Sequence, residues 1–274
     1  MIYILMAALL ITLAGVVNGQ GKYAEVNGLR VYHEIYGKGQ PLVLLHGGGS
    51  TIETSFGRVI PHFAKTHRVI AIERQAHGRT ADRNTPATFE QDADDVAALL
   101  KQLGVERADI LGFSNGGHVA IEIALRHPRL VRKLILASTN ISREGMPAEF
   151  WKGMEKPKFS DMPQIYKDAF LKVNNDPAAL MKMFERDSSR MRVFKGWTDE
   201  QIKSITHPVL IVNGDQNDIL LEHVIRMKRL FPNSRLAILP GNHGGYMGEA
   251  MTPNVTDAAV GRFASITTDF LRSS

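Results

Sequence analysis

The feature that most constrains this chain is a set of short, near-continuous apolar segments separated by helix-forming stretches. Residues 41–45, 68–72, 108–112, 133–137 and 208–212 carry apolar side chains at consecutive positions rather than alternate ones. A strand apolar on both faces must be covered on both faces, and strands that alternate with helices pair in parallel. The expectation is therefore an α/β fold, a parallel sheet between layers of helices. Thr88 and Gln91, at capping-box spacing, open one helix that carries Val96, Leu99, Leu100 and Leu103 on one face and ends at Gly104. A second helix spans 115–126 and stops at His127-Pro128. Further helices are expected at 222–231 and 258–271, with a last strand at 236–239 between them. Residues 23–37 alternate instead (Val26, Leu29, Val31, His33, Ile35), which predicts an antiparallel hairpin.

The rhythm stops between about 142 and 206. That stretch has helical patches, five Met between 154 and 191, Trp151 and Trp197, and no strand pattern. It reads as a helical cap inserted into a domain covering 20–274. A length of 274 residues with 44% hydrophobic and 22% charged residues fits one globular domain with a large core and sets aside disorder and coiled coil. The net charge of +5 is scattered, without the basic stripe of a nucleic-acid binder, so no nucleic-acid partner is expected. The absence of cysteine removes disulfides, thiolate metal sites and a Cys nucleophile together. His118 and Glu122 stand four apart on a helix with no third ligand in view; they read as a helix-surface pair, and no metal is expected.

Residues 2–17 form an uncharged apolar run, short for a bilayer-spanning helix, followed by the small-residue sequence Val17-Asn18-Gly19. Residues 1–19 read as a signal peptide with Gln20 as the new N-terminus. That predicts export to the periplasm or medium with no stable membrane insertion after cleavage; an uncleaved membrane anchor is the alternative. No cysteine follows the run, which excludes a lipoprotein.

The chemistry lies on loops after the strands. Gly112-Phe113-Ser114-Asn115-Gly116 places a G-x-S-x-G pattern between a strand and a helix. Small residues on both sides let the chain turn sharply and lift the Ser114 hydroxyl out of the sheet as a nucleophile. A plain tight turn, or a phosphate site at the helix N-terminus, is the competing reading. His46-Gly47-Gly48-Gly49 follows the first buried strand, and its backbone N–H groups can face a developing oxyanion. Gly48 is the expected donor, with Gly47 or Gly49 as alternatives, and the Asn115 N–H supplies the second. A dinucleotide loop does not fit, because no further glycine falls in G-x-G-x-x-G register. His243, between Asn242 and Gly244 after the last strand, is the expected base; His77, on another strand-end loop, is a candidate pocket residue. Gly214-Asp215-Gln216-Asn217-Asp218 offers two acids to orient it. Asp218 has the greater reach, whereas Asp215 suits a role in organising the turn.

With the chain order Ser114, Asp218, His243, the sequence resembles the α/β-hydrolase superfamily over residues 22–272. The resemblance rests on PLVLLHGGG (41–49), QAHGR (75–79), LGFSNGG (111–117), PVLIVNG (208–214) and LPGNH (239–243). It is similar above all to bacterial capped serine esterases of the pimeloyl-ester carboxylesterase and enol-lactonase type. The resemblance implies an eight-stranded, mostly parallel sheet with a helical lid after the sixth strand. It also implies a cofactor-free enzyme that cleaves a small carboxylic ester, lactone or thioester through an acyl-enzyme on a small-molecule acyl substrate. Two positions depart from the family pattern. The acid is usually three residues after the strand-end glycine, where this chain has Asn217, an alternative that could orient His243 but would stabilise its imidazolium less; and the usual Gly-x-Gly after the fourth strand is Ala76-His77-Gly78. The same triad serves cofactor-free haloperoxidases, perhydrolases and C–C hydrolases, and related folds serve as non-catalytic small-molecule receptors. Ser114 in place of Asp sets aside a haloalkane dehalogenase, and the intact Ser, His and Gly loop weighs against a receptor.

Overall fold

A computed structural model describes residues 19–273. The apolar run 2–17 read as the core of a signal peptide lies outside the described residues. The strands are β1 (Gln20–Val26), β2 (Leu29–Tyr36), β3 (Gln40–Leu45), β4 (His67–Ile72), β5 (Ala108–Phe113), β6 (Val131–Ala137), β7 (Val209–Gly214) and β8 (Ser234–Leu239). They form one sheet in the order β1-β2-β4-β3-β5-β6-β7-β8. β1 pairs with β2, and β2 with β4, in antiparallel fashion; all other neighbours are parallel. Asn27 and Gly28 both take positive φ between β1 and β2, which suits a tight hairpin whose twist matches its strands.

Helices α1 (Ile52–Phe56), α2 (Ile60–Phe63), α3 (Phe89–Gln102) and α4 (Asn115–Arg126) fall in the first half of the chain. α5 (Ala148–Glu155), α6 (Gln164–Val173), α7 (Pro177–Val193) and α8 (Asp199–Ser204) occupy the stretch between β6 and β7. α9 (Leu221–Leu230) and α10 (Asp257–Arg272) complete the set. Alternate residues of each central strand face opposite layers. Val43 and Leu45 join Val96, Leu99 and Ile121 on the α3/α4 side, while Leu42 and Leu44 join Phe56, Phe63 and Phe263 on the other. Burial on both faces is why these strands read as unbroken apolar runs. The expected box at the start of α3 is half made. Thr88 accepts the Gln91 N–H at 3.1 Å, but the Gln91 side chain turns to Asp95 at 3.0 Å.

Among the described residues, the stretch between β6 and β7 forms no strand; its one bridge joins Ser142 to Gly196. No helix among the described residues is long and apolar enough to cross a membrane. Because β3 to β8 run parallel, the loops after β3, β5, β7 and β8 emerge at one edge of the sheet, where open α/β folds place their ligands.

Candidate active site

Ser114 follows β5 and precedes α4 with φ 52° and ψ −122°, a left-handed backbone that a side-chain-bearing residue adopts only under strain of about 1–3 kcal/mol. Two backbone bonds hold it: the Ser114 N–H donates to Ala137 O at 2.9 Å, and the Gly117 N–H donates to Ser114 O at 2.8 Å. The glycines expected around the turn are required by space. A Cβ on Gly112 would overlap the Gly116 carbonyl, and one on Gly116 would overlap the Leu45 carbonyl. Ser114 opens on a cavity of about 620 Å³ between the sheet edge and the β6–β7 insertion, and His243 and the glycine loop open on the same space.

The three donor candidates of the glycine loop differ in what each N–H already bonds. Gly47 N–H donates to Ser55 Oγ at 3.3 Å, and Gly49 N–H donates to Asp187 Oδ2 at 2.6 Å. The N–H groups of Gly48 and Asn115 have no acceptor among the described residues, and both residues line the cavity.

His243 Nδ1 lies 3.0 Å from Asn217 Oδ1, and Asn217 is held so that only its oxygen can face the ring. The Asn217 amide nitrogen donates to Ser138 Oγ at 2.8 Å and to Asn213 Oδ1 at 2.6 Å, while its oxygen also accepts the Ile219 N–H at 3.2 Å. The His243 Nδ1 must therefore carry the proton, which leaves Nε2 free to accept one. Burial lowers the His243 pKa to about 4, against an opposing pull from the Asp218 carboxylate. The ring packs on Phe113 with centroids 5.2 Å apart. Among the described residues, the Ser114 hydroxyl makes no hydrogen bond to this ring, a bond that often tightens only when substrate is bound.

The expected acid does not face the ring in this structure. Asp218 is exposed on the cavity rim and makes no hydrogen bond to His243 among the described residues; the acceptor is Asn217, one residue earlier. The turn decides this, because the Asn217 bond to the Ile219 N–H draws residue 217 inward and leaves 218 pointing out. Asp215 accepts the Gly241 N–H at 2.8 Å and so ties the β7 turn to the β8 turn.

His118 and Glu122 are not a surface pair. Both are buried: His118 bonds the Asn140 carbonyl at 3.0 Å and stacks on Phe194, while Glu122 accepts the Trp197 indole N–H at 2.6 Å. Of the methionines of the insertion, Met154, Met162, Met183 and Met191 line the cavity. The tryptophans do not line it. Trp151 stacks on Phe194 and Trp197 meets the same ring edge-on.

Two functional candidates escaped the sequence reading. Asp187 on α7 accepts the Gly49 N–H through Oδ2, and the same oxygen lies 2.9 Å from His77 Nε2. His77 itself is fully buried one layer behind the cavity, with Nδ1 2.9 Å from the Gln75 carbonyl. Behind Asp187, Arg190 pairs with Asp92 at 2.7 Å and Arg74 pairs with Asp92 at 3.1 Å. Burial opposes ionisation of Asp187, but His77, Arg190 and Arg74 outweigh it and hold the carboxyl well below the usual carboxylate range. The available signal was the spacing Met183, Asp187, Met191, which places an acid in the buried stripe of α7. The second missed residue is Glu249, which lines the cavity and accepts the Tyr166 hydroxyl at 2.7 Å.

Residues 40–193, more than half of the chain, match the family model described as the alpha/beta hydrolase fold. A 2-hydroxymuconate semialdehyde hydrolase from Pseudomonas sp. strain CF600 is 28% identical, covering 92% of this chain and 93% of its own. A pyrrolizixenacetamide deacetylase from Xenorhabdus hominickii is 31% identical over 75% of this chain and 70% of its own. A solved meta-cleavage product hydrolase from Pseudomonas fluorescens superposes with a TM-score of 0.75 at 22% identity, covering 92% of this chain and 97% of that one, a likeness of fold. Other relatives include a bifunctional esterase/perhydrolase and a non-heme haloperoxidase. The matching family model, the eight-stranded mostly parallel sheet and the strand–Ser114–helix turn agree, and this chain belongs to the α/β-hydrolase fold family.

Proposed function

We propose that this protein is a serine hydrolase of small carboxylic esters, lactones or thioesters. The observation that carries the reading is that Ser114, the unprotonated Nε2 side of His243, and the free N–H groups of Gly48 and Asn115 share one cavity. In this reading Ser114 attacks the acyl carbonyl and His243 Nε2 takes the hydroxyl proton. The Gly48 and Asn115 amides hold the oxyanion, a contribution of roughly 3–4 kcal/mol per donor in comparable sites. His243 then returns the proton to the leaving alcohol, and water activated by the same ring releases the acid. Asn217 fixes the tautomer in place of the expected Asp218.

A C–C hydrolase is the second reading, favoured by the 2-hydroxymuconate semialdehyde hydrolase that matches most of the chain. Another relative is named for a heptadienoate, a carboxylate substrate. The cavity lining favours the ester: it includes Asp187, Asp218 and Glu249 and no Lys or Arg to receive a carboxylate. The apolar run 2–17 further supports delivery by export, with a mature chain from Gln20 whose mass a secreted preparation would reveal.

The test is hydrolysis of p-nitrophenyl acetate through octanoate by the purified protein beside Ser114→Ala. Activity lost in the variant is the expected result. A folded wild-type protein inactive on every ester, yet active on a dienoate C–C bond, would replace this reading with the second.

A further inference from the structure

One charge in the cavity is left unbalanced by the protein itself. Asp187 belongs to a buried group in which two aspartates, with Asp92, face two arginines, Arg74 and Arg190. Asp218 is exposed at the rim, where water screens it. Glu249 has neither compensation. It is 2% exposed, and its partners are neutral: the Tyr166 hydroxyl at 2.7 Å and the Met251 N–H at 2.9 Å. Among the described residues no cation pairs with it, and burial pushes its carboxyl up.

Its position is next to the chemistry. Glu249 packs directly on Gly244, the neighbour of His243, so that a Cβ on Gly244 would overlap the Glu249 Cβ. Its partner Tyr166, on α6, reaches over the glycine loop: a ring carbon lies 3.7 Å from where a Gly49 side chain would begin. The pair thus spans the cavity from the base to the oxyanion loop. Tyr166 and Phe113 both line the same space, where an aromatic ring can attract a cation.

We propose that Glu249 is a specificity-determining residue that selects substrates whose acyl or alcohol group carries a positive charge, and rejects those carrying a carboxylate. The inference rests on the ester reading above. An ammonium group beside Glu249 completes a charge pair in a space of low dielectric, whereas a carboxylate there would place two like charges together. A neutral substrate leaves Glu249 as it is.

The experiment compares two isosteric p-nitrophenyl esters with the full-length protein: a trimethylammonio-butanoate and its analogue with tert-butyl in place of trimethylammonium. Wild type is expected to favour the cationic ester by about tenfold or more in kcat/KM, which corresponds to about 1.4 kcal/mol. In Glu249→Gln the ratio is expected to fall to within about twofold. Hydrolysis of both esters without preference overturns the inference and leaves the esterase reading standing. A preference that survives in Glu249→Gln overturns the assignment to this residue. Calorimetric binding of the two esters to Ser114→Ala reads the same preference without turnover, so it decides the charge question even for a protein that hydrolyses neither. Should Glu249→Gln fail to fold, the wild-type ratio and the binding ratio still decide charge selection, and Glu249→Asp tests the residue.

Discussion

His77 and His243 each hold a ring nitrogen against a side-chain oxygen, at 2.9 Å from Asp187 and 3.0 Å from Asn217. The two acceptors are nearly isosteric and differ in charge. Around His77 both ring nitrogens face oxygens, those of the Asp187 carboxylate and the Gln75 carbonyl, and the ring is fully buried behind the cavity rather than lining it. Around His243 one nitrogen is committed and the other faces the cavity. The comparison separates two jobs usually assigned to a single aspartate. A hydrogen bond fixes which nitrogen carries the proton, and a negative charge stabilises the ring once doubly protonated. Asn217 does the first without the second, and the buried carboxylate is spent on tying α7 to the glycine loop.

The largest effect expected from this difference is on rate. His243→Ala should lower kcat/KM on a short p-nitrophenyl ester by about 10³–10⁴-fold. His77→Ala should cost far less in rate and show mainly in thermal melting; equal rate losses would erase the distinction. Next is Asp187→Ala, which leaves Arg74 and Arg190 facing Asp92 alone. Removing one partner of a buried ionic group costs about 3–5 kcal/mol, so calorimetry should show the melting temperature falling by on the order of 10 °C.

Asn217→Asp addresses the other pair. A carboxylate beside Nδ1 stabilises the imidazolium and raises the His243 pKa from its value of about 4. The acid limb of the wild-type kcat/KM profile should lie near pH 4, below the ordinary imidazole value, and move up by about 1–2 units in the variant. The variant's kcat should rise about tenfold as the doubly protonated ring gains an anion. Stability follows the same sign. The depressed folded value means that the His243 contribution is complete above pH 6.5 and is lost as pH falls toward 4. The variant should therefore lose less of its melting temperature between pH 7 and pH 5 than wild type; an equal loss would show that residue 217 does not reach the ring. The smallest effect belongs to Asp218→Asn. With a rim carboxylate removed, kcat/KM should change by less than about threefold, and a loss near that of His243→Ala would return the acid's role to Asp218.

Most of the fold was legible because burial on both faces forces the unbroken apolar runs at β3, β5, β6 and β7. The gathering of Ser114, His243 and the glycine loop at one cavity was legible because each sits at a strand end with small neighbours. The residue facing His243 Nδ1 was legible only as an alternative, from its place three residues after the strand-end glycine. Asp218 outranks Asn217 by charge, but the direction of residue 217 is set by Ser138 on another segment and by local bonds to Asn213 and the Ile219 N–H. Asp187 and Glu249 stand 138 and 83 residues from their partners Gly49 and Tyr166, a separation that no local pattern encodes. The place of the tryptophans off the cavity has a related cause. Their indole N–H groups need acceptors, found at Arg143 O and Glu122, and these draw the rings away from the cavity.

The backbone of Ser114 has a consequence for how such a protein changes under selection. Its φ of 52° is free of strain only for glycine. The residue best suited to fold at this position is therefore one that cannot attack a carbonyl. A search for heat tolerance blind to turnover would drift toward glycine at 114, whereas under the proposed mechanism selection for turnover holds the chain at the less comfortable serine. Thermal robustness and activity are set against each other here by a single dihedral angle.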